Sequence, residues 1–211
     1  MSGKYNRKDH LYNRAKSEGY RSRAAYKLQE LQKKYRIFHL SDSVLDLGCF
    51  PGGWSQVASE FIGPKGIVLG VDLKAVEPLT SAVNQSPVHF VMADIFDPAT
   101  FDFTSLPSDW SQALAAKFNV FISDLSPSLS GVKDRDIAQS VELVAKVFAL
   151  AKTLLKPQGT VVAKIFPAPE TDELIKELKG NFSQITRAHL KATRDTSSEF
   201  YIVAQKYLAR N

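Results

Sequence analysis

The sequence predicts an α/β fold built on a mostly parallel seven-stranded sheet that ends in an antiparallel hairpin. Five short apolar segments have the length of buried parallel strands and alternate with segments of helical periodicity. The last two strand-like segments, 184–190 and 200–204, are separated by only about ten residues without a helical period. Because a parallel pair needs a longer crossover, we expect a hairpin between them.

The chain begins with a basic segment, and we predict an N-terminal arm at residues 1–21 ahead of one domain at 22–211. Residues 1–36 contain eleven Lys or Arg and three acids, a net charge of +8, so the remainder is near −3 in a chain of +5. Four tyrosines are interleaved with these charges: Tyr5, Tyr12, Tyr20 and Tyr26. This pattern favours binding of an extended polyanion through phosphate contacts and stacking. The alternative is a solvated tail that only aids solubility.

Length and composition exclude several classes of protein. The chain has 211 residues, of which 44% are apolar and 23% charged, as in a globular domain with a substantial core. No apolar run approaches the roughly 18 to 20 residues that span a bilayer, and no secretory signal follows the basic start, so we expect a cytoplasmic protein without a membrane partner. Cys49 is the single cysteine, and with four His it gives no metal-site spacing. We therefore expect no metal ion, and we expect a monomer.

The elements follow in order along the chain. Ser22 is the predicted N-cap of a first helix, whose apolar face comprises Ala24, Leu28, Leu31, Tyr35 and Phe38. Parallel strands are predicted at 44–47, 67–71, 88–92, 120–122 and 161–165.

Further helices are predicted between and after these strands. The clearest covers 134–156, with acids at its start, lysines at its end, and Pro157 and Gly159 as the residues that stop it. A shorter helix is predicted at 169–179, and the stretch 97–116 is left as a loop with an uncertain helix.

The most specific local signal is the loop after the first strand, VLDLGCFPGGWSQ at 44–56. Its glycines allow a tight turn and a close approach of backbone to a ligand, and a helix begins near Trp54. They are spaced GxxxGG, whereas a dinucleotide fingerprint needs GxGxxG, so a nicotinamide oxidoreductase is not favoured. Trp54 is expected to be part ligand wall and part core.

Four successive strands end in an acid, namely Asp46, Asp72, Asp94 and Asp124. One acid at a strand end is most often a helix cap, but four with a glycine-rich first turn are poorly explained by capping. We expect Asp72 to accept the ribose hydroxyls of an adenosine and Asp94 to bond the adenine amino edge. Asp124 would lie near the other, cationic end of the ligand. Carboxylates attract a ligand with cationic groups, whereas they would repel a ligand with phosphate groups.

The sequence resembles the FtsJ (RrmJ) family of ribose 2′-O-methyltransferases over nearly its whole length. The matching segments are SRAAYKLQEL at 22–31, DLGCFPGGWSQ at 46–56, SDLSPSLSG at 123–131, VVAKIF at 161–166 and SSEFYIVA at 197–204. The resemblance implies a Rossmann-like methyltransferase fold and S-adenosylmethionine as cofactor, bound by Gly52, Trp54, Asp72, Asp94 and Asp124. It also implies a catalytic tetrad of Lys27, Asp124, Lys164 and Glu199.

The residues themselves support the tetrad. Lys164 interrupts an apolar strand, where a cation is costly unless it is paired or loses its proton. We hypothesise that it is the general base for the 2′-hydroxyl, with Asp124 and Glu199 holding the amines. Lys27 alone would be interpreted as a surface lysine.

The resemblance also bears on the substrate. Compact length favours the bacterial ribosomal-RNA type, with ribosomal RNA or the large ribosomal subunit as partner. Transfer-RNA and messenger-cap methylation, and a noncatalytic RNA-binding assembly factor, are the alternatives. The chain departs from the family pattern at Cys49, Phe50, Ser126 and Ser128. These changes put the identity of the substrate in question, while the tetrad is intact.

Overall fold

The computed structural model describes residues 10–80, 83–101, 110–111, 115, 117–128, 130–193 and 198–209. These ranges contain the helices α1 (His10–Ser17), α2 (Ala25–Tyr35), α3 (Gly53–Ile62), α4 (Lys133–Leu154) and α5 (Pro169–Leu178). They contain the strands β1 (Ser43–Leu47), β2 (Ile67–Asp72), β3 (Val88–Met92), β4 (Phe118–Ser123), β5 (Leu155–Ile165), β6 (Phe182–Ala188) and β7 (Phe200–Tyr207). Part of the stretch 97–116, and Tyr5 of the basic arm, lie outside the described residues.

The seven strands form one sheet in the order β3-β2-β1-β4-β5-β7-β6. β1 pairs in parallel with β2 and β4, β2 with β3, and β4 with β5. β7 lies antiparallel to both β5 and β6. The predicted fold class is confirmed, including the C-terminal hairpin. Strand order reverses between β1 and β4, and ligands of open α/β sheets bind at the carboxyl ends of strands beside such a reversal.

Both faces of the sheet are covered, which explains the nearly continuous apolar strands. On one face α4 and α5 pack against residues such as Val161, Ala163 and Ile165 of β5. On the other face α2 and α3 pack against Val162 and its neighbours. Lys164 shares the alternation of Val162, so its side chain starts on the face covered by α2 and α3.

Two sequence predictions about helix ends were wrong. Ser22 is not the N-cap of α2, because the helix begins at Ala25 and Ala24 precedes it without a side-chain cap. Pro157 and Gly159 do not stop α4, which ends at Leu154; both lie inside β5. The helix ends early because Leu155 already pairs with Phe118 of β4, and the register then shifts before Thr160.

Residues 10–21 contact the sheet domain through several hydrogen bonds. The Tyr20 hydroxyl donates to Glu60 (2.9 Å), and the Gln56 side chain accepts the Arg21 N–H (2.8 Å) and donates to the Gly19 carbonyl (3.1 Å). These bonds tie the segment to α3. The division into an arm at 1–21 and a domain at 22–211 stays a prediction. Across the described part of the chain, no helix has both the length and the apolar character needed to cross a membrane.

Candidate active site

The loop between β1 and α3 turns tightly at the carboxyl edge of the sheet. Gly48 has a φ of +77°, and its N–H donates to the Val71 carbonyl (2.8 Å). A Cβ at Gly48 would lie 2.4 Å from the Leu125 side chain, so a larger residue would push away the loop that follows β4. Gly52 also has a positive φ, +104°, and a Cβ there would lie 3.0 Å from the Arg21 guanidinium. Glycine is therefore required at both positions.

An acid-lined cavity of about 440 Å³ lies beside this loop. Three of the acids predicted at strand ends, Asp72, Asp94 and Asp124, line it together. The Asp72 carboxylate accepts the N–H groups of Phe50 and Lys74, both at 2.9 Å, one on each oxygen. Asp94 accepts the Phe96 N–H at 2.9 Å. Backbone donors therefore fix the orientation of two of the carboxylates that line the cavity.

The lining fits the cofactor that the resemblance implies. Each oxygen of Asp72 has accepted one hydrogen bond and keeps capacity for another, as two ribose hydroxyls require. Three carboxylates suit a ligand with cationic groups, and the cavity has the volume of a small-molecule site. Its apolar wall includes Phe50 and Phe96, which are 49% and 42% exposed and present open ring surface at the rim.

Gly52, Trp54 and Asp46 are not among the residues that line this cavity. Trp54 is 3% exposed, and its indole N–H donates to the Ala24 carbonyl (2.8 Å). Asp46 is buried; its Oδ2 accepts the Ser55 hydroxyl (2.6 Å), while its Oδ1 has no hydrogen-bond partner in the described structure. Burial raises the pKa of Asp46 to about 7. Gly52 and Trp54 as cofactor contacts stay predictions.

The four tetrad residues converge as two ion pairs next to the cavity. Lys164 Nζ lies 3.2 Å from Asp124 Oδ1 and donates to the Asp124 carbonyl at 2.7 Å. Lys27 pairs with Glu199, whose segment enters β7. The side chains of Lys27, Glu199 and Lys164 are only 13%, 11% and 9% exposed, so these charges are largely removed from water. Asp124 lines the cavity and also holds Lys164, which joins the two sites.

Tyr201 connects the two ion pairs and was not among the residues identified from sequence. Its buried hydroxyl donates to Asp124 Oδ1 (2.7 Å), and Lys27 Nζ lies 5.6 Å from its ring centroid. Burial, with the nearby Asp124, raises the pKa of Tyr201 well above its ordinary value, so it stays a donor at neutral pH. The available signal was its position two residues after Glu199, at the start of β7, because residues two apart in extended chain point to the same face.

Arg21 was counted only among the charges of the arm, but its guanidinium is used inside the structure. It donates to the carbonyls of Pro51 (3.2 Å), Glu77 (2.5 Å) and Pro78 (2.7 Å). Pro51 belongs to the glycine loop, and residues 77–78 belong to the loop after β2. Arg21 therefore holds together two loops whose neighbouring residues line the cavity.

Comparison with known proteins identifies the family. A family model described as FtsJ-like methyltransferase matches residues 20–207. The chain is 41% identical over 199 residues to "Ribosomal RNA large subunit methyltransferase E" of Natronomonas pharaonis, covering 94% of this chain and 74% of that protein. It is 38% identical over 204 residues to the protein of the same name from Coxiella burnetii, covering 97% and 93%.

A solved structure supports the same assignment. The crystal structure of a ribosomal RNA methyltransferase from Plasmodium falciparum matches with a TM-score of 0.75 and 30% identity, covering 90% of this chain and 100% of that one. The family match extends over the strand-end acids and over all four residues of the tetrad. The chain belongs to the FtsJ-like methyltransferase family and is a methyltransferase.

Proposed function

We propose that the chain transfers a methyl group from S-adenosylmethionine to a ribose 2′-hydroxyl of large-subunit ribosomal RNA, as a monomer in the cytoplasm. The observation that carries this proposal is the convergence of Lys27, Asp124, Lys164 and Glu199 beside the acid-lined cavity. The names of the Natronomonas and Coxiella relatives support ribosomal RNA as the substrate class.

The cavity residues hold the cofactor. S-adenosylmethionine, when bound, supplies a methyl carbon that its sulfonium has already activated. Asp72 accepts the ribose hydroxyls, Asp94 bonds the adenine amino edge, and Asp124 faces the cationic end. Because the methyl carbon is already electrophilic, the chain needs mainly to align the acceptor and to take its proton. Alignment contributes up to roughly 7 to 11 kcal/mol in favourable cases.

Lys164 acts as the general base that takes the proton of the 2′-hydroxyl. Its amine is oriented by the carbonyl and the carboxylate of Asp124, so the lone pair has a defined direction. The lysinium that forms then faces that carboxylate at 3.2 Å, which stabilises the product of proton transfer. Lys27, held by Glu199, places a second cation near the oxygen on which negative charge develops.

Methyl transfer to defined RNAs tests the proposal. Purified protein, labelled S-adenosylmethionine and large ribosomal subunits from a strain that lacks the gene should give labelled RNA. A 2′-O-methyl group blocks alkaline cleavage of the adjoining phosphodiester, so resistance to alkali identifies the ribose. If only a transfer RNA were labelled, the substrate would be transfer RNA and not ribosomal RNA. A label on a base would contradict methylation of the 2′-hydroxyl. No transfer by folded protein that binds the cofactor would favour a noncatalytic assembly factor.

A further inference from the structure

A second cavity, of about 370 Å³, lies at the carboxyl end of β5 and shares no lining residue with the acid-lined cavity. Its wall includes the apolar residues Ile137, Phe166 and Pro167, with Lys133 and Ser198 beside them. We propose that this base pocket binds the nucleobase of the acceptor nucleotide. The inference rests on the proposed function, because it assumes that a ribose is presented to the tetrad.

The base pocket adjoins the tetrad in the chain and in space. Phe166 lies two residues beyond Lys164, about 7 Å along an extended chain. Ser198 directly precedes Glu199, so their Cα atoms are about 3.8 Å apart. In a ribonucleotide the base is attached to the carbon next to the one that bears the 2′-hydroxyl. A hydroxyl directed at Lys164 therefore leaves its base within reach of this pocket.

The chemistry of the wall distinguishes the two cavities. Three carboxylates line the acid-lined cavity and repel a phosphate, whereas the base pocket has one carboxylate, Asp136, which accepts hydrogen bonds from Ser130, and otherwise offers mainly ring and aliphatic surfaces. A nucleobase has flat faces that stack on such surfaces without regard to sequence. Lys133 is exposed at the pocket and suits a neighbouring phosphate. One loop, between β4 and α4, lines both cavities and so places cofactor and base on its two sides.

Hydrogen bonds hold the base pocket in shape before any ligand binds. Asp136 Oδ1 accepts the N–H (2.8 Å) and the hydroxyl (2.7 Å) of Ser130, which fixes the start of α4. The backbone of Phe166 is anchored twice: its N–H donates to the Ser140 hydroxyl (3.3 Å), and its carbonyl accepts the Thr171 hydroxyl (2.7 Å). A preformed pocket loses little ordering entropy on binding.

Binding of small nucleotides tests the base pocket directly. We would titrate the isotope-labelled protein with each of the four ribonucleoside 5′-monophosphates and with ribose 5-phosphate, and follow amide NMR signals. At least one nucleotide should bind more tightly than ribose 5-phosphate and shift the signals of residues 133–137 and 166. Phe166→Ala should weaken that binding roughly 5- to 150-fold, the range expected for one stacked base. Phe166→Tyr should retain it.

The controls separate this inference from the proposed function. Phe61→Ala removes a partly exposed ring on α3 that stacks on Phe38 and lines neither cavity, so it should leave nucleotide binding unchanged. With large subunits, Phe166→Ala should raise the KM for RNA and leave the KM for S-adenosylmethionine unchanged. Equal binding of nucleotides and ribose 5-phosphate by wild type would overturn the pocket even if ribosomal RNA is methylated. Selective nucleotide binding without any RNA methylation would support the base pocket and contradict the proposed function. If Phe166→Ala does not fold, two measurements still test the base pocket: the same titrations of Phe166→Leu, and the comparison of nucleotides with ribose 5-phosphate on wild type.

Discussion

Lys164 and Asp72 are both ionisable residues near the carboxyl edge of the sheet, but they serve different parts of the proposed reaction. Lys164, the penultimate residue of β5, contacts Asp124 through the side chain and the backbone. Asp72, the last residue of β2, is oriented by two backbone N–H groups at the wall of the acid-lined cavity. Substitutions at the two positions should therefore affect different measurable quantities.

Asp72→Ala should raise the dissociation constant for S-adenosylmethionine roughly ten- to a hundredfold, as expected for one or two charge-assisted hydrogen bonds. Saturating cofactor should then restore much of the rate.

Lys164→Ala should leave cofactor affinity unchanged and lower the rate of single-turnover methylation by ~10²- to 10⁴-fold, the usual contribution of a general base. Calorimetry and labelled-methyl transfer measure the two effects.

Lys156→Ala is the matched control for Lys164, because it removes a lysine from the far end of the same strand. It should retain both cofactor affinity and rate. Melting curves must accompany every variant. A folded and fully active Lys164→Ala protein would contradict the assignment of Lys164 as base.

Asp46 should make stability fall as pH rises. Burial disfavours the charged form of its carboxyl and raises the pKa from the ordinary value of 3.8 to about 7 in the folded state. The folded state therefore binds more protons than the unfolded state between these values. The stabilising contribution of Asp46 to the free energy of unfolding is fully present below about pH 4. It declines between about pH 4 and pH 7 and no longer changes at higher pH. At about 1.4 kcal/mol per pKa unit, the total is on the order of 4 kcal/mol.

Asp46→Asn removes this titration and keeps an oxygen that accepts the Ser55 hydroxyl. The variant should gain stability relative to wild type between pH 5 and pH 8 in urea unfolding without cofactor. Ser55→Ala, which leaves the carboxyl in place, should keep the wild-type direction of the pH dependence. The same pH profile in Asp46→Asn and wild type would show that another group causes it.

At the scale of elements, the segment between α1 and α2 and the strand β7 bring distant parts of the chain to the site. The segment contributes Arg21, which bonds carbonyls of the loops after β1 and β2. β7 lies between β5 and β6 and places Tyr201 opposite Lys164. The site thus depends on elements at both ends of the chain, as well as on the acids at or just after the ends of β2, β3 and β4.

Arg21→Lys should weaken cofactor binding about tenfold, because one ammonium cannot span the carbonyls of both loops and each lost hydrogen bond costs about 1 kcal/mol. The rate at saturating cofactor and RNA should stay near that of wild type. Arg14→Lys, which alters an exposed ion pair with Glu18 on the same segment, is the control and should leave cofactor affinity unchanged. Equal cofactor affinity in folded Arg21→Lys and wild type would mean that the loops keep their shape without the guanidinium.

At the scale of the whole molecule, charge is distributed unevenly. The first 36 residues have a net charge of +8 in a chain whose total is +5. α1 carries Arg14 and Lys16 in its last turn, where cations also stabilise the helix dipole. The remaining residues sum to about −3, so this distribution favours binding of a polyanion by the N-terminal part of the chain.

Neutral replacement of Arg7, Lys8, Arg14 and Lys16 should weaken RNA binding and reduce its salt dependence by a slope of roughly 0.7 to 0.9 per lost phosphate contact. Arg7 and Lys8 lie outside the described residues. Cofactor affinity should hardly change. Lys65→Gln with Lys117→Gln, which removes exposed charge from the loops before β2 and β4, should have little effect. Filter binding across a salt series measures this, and an unchanged slope in the arm variant would favour a solvated tail.

The sequence was sufficient for the fold class and for the three acids that line one cavity in the structure. Apolar strands and helical periods depend on neighbours a few residues away, so the pattern is visible without coordinates. Carboxyl ends of parallel strands share one edge of a sheet, which is why Asp72, Asp94 and Asp124 were expected to meet, and they do.

Tertiary structure alone decided how the site is held together. The Lys27–Glu199 pair joins residues 172 positions apart, and Tyr201 reaches Asp124 across 77. The resemblance grouped the tetrad, but neither the division into two ion pairs nor the tyrosine between them follows from local pattern. The end of α4 likewise depended on pairing of Leu155 with β4. Such contacts form only when distant segments pack, because the free energy that selects them comes from burial and hydrogen bonding between those segments and not from local conformational preference.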